Sequence, residues 1–503
     1  MSFGSKGVGL AVLKLLNEGL SVALSLLIAF LFGAGPLVDA LFAVSFIAVL
    51  FARELSRLVR VALVPCLVEA RERKADLAFG DAFRTYLLVA ALAVGLGLFV
   101  LAPWTVRLLA PGFTLSTTAA AVRMLRILAP AVPAYLLFGW LQGHLHVRRR
   151  FYIPEAAEIA WKVTALAALL TAGRRYGVTA YAAGLSAAAF VRLMVVAVAS
   201  PGEVRALTRI SARGFDPRPL RPFALGIFVV FCSIMLRQME QAIDRIVLSC
   251  MQPGDLTVFS LAGRLVQFGP FLLATSFLMP FLPEISRARA RCGDVRRMTK
   301  QVALLLTAVG APLGIVLFWA ARDLVEFLLL HGKFERASVE TAILAVRAFA
   351  LGIPAVFCAQ GLHGMFLIER NLPQVVRTGV AAIMVHALAL VALFRHGVAG
   401  VALAGSLTLW FSAAYLWARA RGRTSGAVVF ARARFFGGMA AAAAVLFVLP
   451  WTRLLPWIPI RVPVGAAVAV AVYAAAMWPA IRKMRSNLAS VTAETTSRSV
   501  RNT

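Results

Sequence analysis

Apolar stretches of about 20 residues recur along the whole chain, and nothing else in it constrains the fold as strongly. A segment of that length spans the hydrocarbon of a bilayer only as a helix, because no water there can satisfy an open backbone N–H or C=O. Roughly fourteen such windows are read, over 9–32, 37–64, 84–108, 119–145, 151–172, 178–200, 222–250, 256–283, 299–320, 338–368, 373–394, 397–418, 435–454 and 462–481. With 61% hydrophobic and only 15% charged residues, the composition lies outside the soluble range. The expectation is an all-α polytopic membrane protein.

A net charge of +30 excludes neither nucleic acid nor membrane by itself, but the basic residues sit in short clusters between the apolar runs. Placing the N-terminus in the cytoplasm puts Arg71 to Lys74, Arg148 to Arg150, Arg205 to Arg221, Arg287 to Lys300, Arg419 to Arg434 and the C-terminal tail on one side. That side then holds roughly thirty Lys and Arg against about nine, so both termini are expected to be cytoplasmic in a bacterial inner membrane. The first run contains Lys14 and Glu18 and is read as a retained helix, not a cleaved signal. Five cysteines without CxxC spacing or a partner histidine indicate neither a disulfide framework nor a metal site.

Polar punctuation repeats at an offset of roughly 215 to 221 residues. Asp39 matches Asp255, Pro133 matches Pro354, Gln142-Gly143 matches Gln360-Gly361, and Gly177 matches Gly397. Two six-helix lobes related by a pseudo-two-fold follow, at 1–215 and 216–425, with two extra helices in 426–484 and a disordered cytoplasmic tail at 485–503. Pro130, Pro133, Pro270, Pro280, Pro312 and Pro354 are expected to bend their helices. Trp104, Trp319, Trp451 and Trp457, near span ends, are expected at the membrane interfaces.

Charges inside spans mark the candidate site, since each costs about 2.5 to 3.5 kcal/mol at the bilayer centre unless it meets water or a partner. The second span carries Asp39, Arg53, Glu54 and Arg57; the first carries Lys14 and Glu18 one turn apart. Arg237, Glu240, Gln241 and Asp244 share one face of the seventh span, and Arg264 lies within the eighth. Structural pairing of Lys14 with Glu18, and of Arg237 with Glu240 or Asp244, is the competing reading. If instead the cations converge on one cavity, guanidinium forks there suit phosphate oxygens. No nucleotide-binding loop, nucleophile elbow or HExxH sequence is present, so neither catalysis nor a cofactor is indicated, and a coupling ion or the membrane potential would drive transport.

Short motifs carry a resemblance. Phe32-Gly33-Ala34-Gly35 followed by Val38-Asp39-Ala40-Leu41-Phe42, Asp255 to Leu265, Met279 to Arg287, His331-Gly332-Lys333-Phe334-Glu335 and Asn371-Leu372-Pro373 resemble the lipid II flippase (MurJ/MviN) family. The resemblance implies fourteen helices, a central cationic cavity, a groove for a lipid tail formed by the last two helices, and alternating access that moves an undecaprenyl-diphosphate-linked saccharide across the inner membrane in peptidoglycan synthesis. It implies cavity positions at Asp39, Arg53 and Arg264. On this basis Arg53, Arg264, Arg57 and Lys14 are the expected substrate contacts. Asp39, Glu18, Arg237, Glu240 and Asp244 are the expected gating or ion-coupling residues, with Asp39 pairing a cation near the periplasmic mouth. The first helix departs from the family, reading Glu18 and Leu24 where arginines are usual, and the second-helix pair reads Ala52-Arg53. A lipid-linked exopolysaccharide or O-antigen unit is therefore the alternative cargo; a cation-coupled drug exporter and a membrane-embedded polyprenyl-phosphate transferase are the remaining readings.

Overall fold

A computed structural model describes residues 3–56, 58–59, 76–208, 215–267, 295–368, 372–420, 426–449, 451, 460–479 and 482. Their regular structure is helical throughout, with no strand among the described residues. Seven of the described helices are long and apolar enough to cross a bilayer, or up to nine when each of two bent pairs counts as one span. Much of the eighth expected span and the ends of the second and thirteenth, with the Met279 to Arg287 motif, Arg57 and the C-terminal tail, lie outside the described residues.

The chain packs as two compact units, Met1–Thr257 with Gly332–Phe334, and Val258–His331 with Glu335–Thr503. The long helix Arg221–Ser249 belongs to the first unit, where it packs against helix Ala102–Leu109 and against the π-helical turn Leu50–Leu55.

In the first unit the order is α1 (Phe3–Phe32), α2 (Pro36–Val49), the π turn Leu50–Leu55, α3 (Asp76–Val100), α4 (Ala102–Leu109), α5 (Leu115–Leu128), α6 (Ala131–Val147), α7 (Tyr152–Ala168), α8 (Val178–Val198), α9 (Pro201–Thr208) and α10 (Arg221–Ser249). Gly33 ends α1 with φ +70°, the left-handed conformation that closes helices, and its N–H bonds the Ala29 carbonyl. Pro36 then opens α2 within its first two positions, where the missing N–H costs nothing. Thr114 caps α5 through its hydroxyl to the Thr117 N–H.

Lipid tails are as apolar as leucine, so close packing and dispersion hold these helices together in a membrane. Small residues let the backbones approach. A methyl built on Gly184 of α8 would lie 2.2 Å from the Ala168 Cβ, which cannot rotate away, so the helices themselves would have to part. Gly184→Ala is therefore expected to destabilise the protein by about 1–3 kcal/mol, read as a fall in melting temperature in detergent.

Both units use one device to bend a span. In the first, α5 and α6 form a pair bent by 41° around Pro130 and Pro133, and Pro133 Cδ sits 3.0 Å from where a Cβ on Gly95 of α3 would be. In the second, α12 (Val295–Leu329) precedes α13 (Arg336–Ala350) and α14 (Ile353–Ile368). These last two also form a pair bent by 41°, with Pro354 Cδ 3.4 Å from a Cβ built on Gly314 of α12. A proline that breaks the helical ladder thus meets a glycine that leaves room for its ring.

The second unit continues with α15 (Leu372–Leu393), α16 (Gly397–Arg419), α17 (Gly426–Val448) and α18 (Ile460–Pro479). Ser406 of α16 donates to the Ala348 carbonyl, and His386 of α15 shares a hydrogen bond with Thr408. Trp319 and Trp451 meet edge to face at 6.0 Å, Trp451 is buried, and the Trp319 ring lies 2.7 Å from a Cβ built on Gly465. Trp451 is thus packed inside the second unit, with half-buried Trp319 against it. Trp104 is 70% exposed, and Trp457 lies outside the described residues.

Candidate functional site

The second span changes from α to π winding at Leu50, so Arg53 and Glu54 fall on a widened turn. Such turns displace a side chain from the regular helical stripe and mark functional sites with unusual frequency. The turn is held from both sides. Ser56, just beyond it, donates to the Tyr135 carbonyl of α6 at 2.7 Å, and Gly139 brings that helix so near that a Cβ would stand 2.8 Å from the Ser56 backbone. On the other side lies α10. The Arg245 guanidinium sits over the Phe46 ring at 4.1 Å, and eight residues further along span two, Glu54 meets Arg237, eight residues back along α10. The matched steps make the two helices antiparallel neighbours, joined by one contact on α2 and one on the π turn.

Glu54 is buried, its side chain only 4% exposed, and its Oε2 is 3.6 Å from Arg237 Nη2. The Arg237 side chain is 57% exposed. Exposure rises along α10 from buried Asp244 through half-buried Glu240 and Gln241 to open Arg237.

The other end of span two is built differently. Asp39 is buried, and its carboxylate accepts from the Gly254 N–H at 2.5 Å, the Thr257 N–H at 2.8 Å and the Thr257 hydroxyl at 2.6 Å. These donors belong to the first turn of the helix that begins at Asp255. The free amides of a helix start carry about half a positive charge, enough to hold an anion without a side-chain cation. The expected cationic partner of Asp39 is thus replaced by backbone donors.

Glycines close the same corner. Gly332, with φ +70°, lies against the last turn of α1: a Cβ there would be 2.3 Å from the Phe30 carbonyl oxygen, to which Lys333 donates its N–H at 3.1 Å. About 220 residues earlier, Gly112 lies the same way against the last turn of α10, with a built Cβ 2.3 Å from the Ser249 carbonyl oxygen.

Beyond the same-helix pairs considered from sequence, Arg237 has an ion-pair partner on another element, Glu54. Lys14 and Glu18 are half-buried on α1, and no ion pair joins them among the described residues. Arg264 is half-buried on the helix beginning at Asp255. The Arg53 backbone lies in the π turn, its side chain is outside the described residues, and so is all of Arg57.

Three charged residues of the first unit escaped the sequence reading. Lys162 of α7 is buried and donates from Nζ to the Asn17 carbonyl of α1 at 2.6 Å. Arg192 of α8, 5% exposed, pairs with Glu158 of α7 at 2.5 Å and lies over the Phe138 ring at 3.7 Å. The signal was available, since each is a charge inside an apolar span. Among the described residues no group of three His, Cys, Asp or Glu could hold a metal ion.

The model of the family "Lipid II flippase MurJ" matches residues 28–464. The chain belongs to this family. Curated relatives named probable lipid II flippase MurJ include one from Vibrio cholerae, 25% identical over 207 residues, covering 40% of this chain and 39% of the relative. Another, from Bdellovibrio bacteriovorus, is 22% identical over 300 residues, 59% of this chain and 57% of the relative. The matched parts thus span between about a third and three fifths of the curated relatives, a Rickettsia prowazekii protein at 33% being the shortest. Among solved structures, "Lipid II flippase MurJ, inward closed conformation" superposes with a TM-score of 0.78 at 16% identity, covering 93% of this chain and 98% of that one. An inward-facing MATE-family multidrug resistance transporter of the MOP superfamily gives 0.63 at 14%, covering 84% and 95%. At such identities the superpositions establish the fold alone: that of a multi-pass helical membrane protein.

Proposed function

We propose that this chain is a flippase that carries lipid II, the undecaprenyl-diphosphate-linked precursor of peptidoglycan, from the cytoplasmic to the periplasmic leaflet. The observation that carries this reading is membership of the lipid II flippase family across residues 28–464. It is supported by an exposed guanidinium, Arg237, that meets Glu54 of a π turn bearing another arginine. In this reading Arg53 and Arg264 hold the diphosphate, while Arg57 and Lys14 add positive field. Glu18, Arg237, Glu240 and Asp244 serve gating or ion coupling, and the chain acts as a transporter and not an enzyme. Both termini face the cytoplasm, the two lobes are six-helix repeats followed by two helices that hold the lipid tail, and a coupling ion or the membrane potential supplies the drive. The Asp39 and glycine contacts then close the periplasmic end, Asp39 acting through a helix start.

One observation favours a different cargo within the same class. Glu18 stands on α1 without an ion-pair partner among the described residues, an unneutralised carboxylate on a helix where a diphosphate clamp calls for cations. A lipid-linked exopolysaccharide or O-antigen unit is the alternative on that ground. Depletion in the native host separates the two. Accumulation of peptidoglycan precursor in the inner leaflet with lysis is the expected result, and accumulation of another lipid-linked saccharide with intact cells overturns the cargo assignment. In the same host Arg264→Ala, present at normal levels in the membrane, is expected to lower export at least tenfold; undiminished export removes Arg264 from the site.

A further inference from the structure

We infer that the turn Arg148-Arg149-Arg150 docks the phosphate of an anionic phospholipid, which Arg149 and Arg150 hold at the rim of the first unit. The inference rests on the chain crossing a bilayer and not on any particular cargo, so it stands apart from the flippase reading.

A backbone anomaly carries it. α6 ends in a Schellman turn: the Arg149 N–H bonds the His146 carbonyl at 2.9 Å, and the Arg150 N–H bonds the Leu145 carbonyl at 2.8 Å. That motif puts the residue after the C-cap, Arg148, in the left-handed region. Glycine is the usual occupant there, because a side chain crowds its own carbonyl. Arg149 fills the position instead, with φ +59°. Every other positive φ among the described residues belongs to a glycine, at Gly33, Gly177, Gly254, Gly332 and Gly397. Setting the orientation of the chain needs no arginine at this one position, since a glycine between Arg148 and Arg150 would still leave the loop basic. The side chain is kept against a local conformational cost, and such a residue points to a use.

The surroundings indicate which use. Arg148 pairs with Glu203 of α9, a contact that fastens the turn to a neighbouring helix. Arg149 and Arg150 are exposed and form no ion pair among the described residues. From residue 82 to residue 154 the chain has no Asp or Glu. Phe151, next in the chain, is 42% exposed, with its ring 5.1 Å from that of His146. The level in the membrane comes from α8. Phe190, Met194 and Val198, spaced i, i+4, i+8, form an exposed apolar stripe that reaches the last residue of α8. α9, which carries Glu203, begins three residues further on. A stripe of that kind faces lipid tails, so the turn lies where tails give way to headgroups. Guanidinium forks at that level suit phosphodiester oxygens, and an exposed ring beside them suits the first methylenes below. A zwitterionic headgroup brings its own cation toward two arginines, so an anionic one such as phosphatidylglycerol is selected.

Benzoylphenylalanine introduced at Phe151 of the full-length protein reports what lies against the turn. It is irradiated in nanodiscs of equal parts phosphatidylglycerol and phosphatidylcholine, and the mass of the adduct identifies the lipid. Phosphatidylglycerol is expected in excess, and removing one arginine should cut that excess about fivefold, the weight of one basic residue near an anionic surface. Arg149→Gly, tested for melting in detergent without the cross-linker, should move two readouts in opposite directions. Its melting temperature is expected to rise by about 1–2 °C, because the left-handed turn gains the residue that suits it, while the excess falls about fivefold. Arg149→Gln keeps the backbone cost, so it should lower the excess equally and leave the melting temperature unchanged. A turn with a structural role alone would gain stability with glycine and keep its lipid neighbours. Equal capture of the two lipids by the wild type overturns the inference, as does an excess unchanged in both Arg149 variants or a lower melting temperature for Arg149→Gly. Irradiation in native membranes that captures a protein in place of lipid assigns the turn to an acidic protein partner and overturns it as well.

Discussion

Alanine at Gly332 is expected to destabilise the protein by about 2–5 kcal/mol, far more than one added methyl usually does. Two separate costs combine. A left-handed backbone puts an L side chain against its own carbonyl, which costs roughly 1–2 kcal/mol. The new Cβ would also stand 2.3 Å from the Phe30 carbonyl oxygen and 2.7 Å from the Phe30 ring, an overpacking cost of about 1–3 kcal/mol. Rotating a side chain cannot relieve the first contact, because the obstacle is the backbone at the end of α1. Gly177 differs in kind: with φ +85° and ψ −172° it holds an almost glycine-only conformation, and nothing lies within 4 Å of a Cβ built there, so Gly177→Ala incurs a conformational cost alone. Melting temperature in detergent, followed by tryptophan fluorescence, measures the Gly332→Ala loss. A loss no greater than the roughly 1–2 kcal/mol of the left-handed backbone would mean that the turn at His331-Gly332-Lys333 is not seated on α1 as described.

That turn also shows where sequence was informative and where it stopped. Its five residues were legible as a motif, and the matching of Pro133 with Pro354 and of Asp39 with Asp255 was legible as a repeat, because polar and conformationally special residues stand out in apolar text. The identical 41° bends at the two prolines follow from chemistry that sequence records directly. Which residues meet was not legible. Helical spacing put Arg237, Glu240 and Asp244 on one face and could name partners only on that helix; the contact of Arg237 with Glu54, on another element, was beyond it. A π turn has no composition of its own, so the displacement of Glu54 toward α10 could not be read from periodicity that assumes regular winding. Nor did sequence show that Trp319 meets Trp451 edge to face with its ring against Gly465, since the three residues are far apart in the chain.

Asp39→Ala should cost about 2–4 kcal/mol and abolish transport, and its chemistry separates a helix-cap role from a side-chain ion pair. Removing the carboxylate leaves the Gly254 and Thr257 amides buried without their acceptor, at about 1–3 kcal/mol for each orphaned donor. Relief from burying a charge offsets part of that. Asparagine is the discriminating substitution. Its oxygen can still accept from both Thr257 donors in place of Oδ1, but its NH2 group then faces the Gly254 N–H, donor against donor at 2.5 Å. Asp39→Asn is therefore expected to lose most of what alanine loses, although it keeps shape and polarity. Thr257→Val removes only the hydroxyl and should cost about 1 kcal/mol, the ordinary net value of one hydrogen bond. Because the Thr257 hydroxyl acts through Asp39, the double variant Asp39→Ala with Thr257→Val should be less destabilised than the two single losses added together. Strict additivity, or an asparagine variant as stable as wild type, would show that the carboxylate does not depend on these donors. With coupling found, the same anion that starts one helix ties it to the first turn of another, and any motion that opens this end must break three hydrogen bonds together.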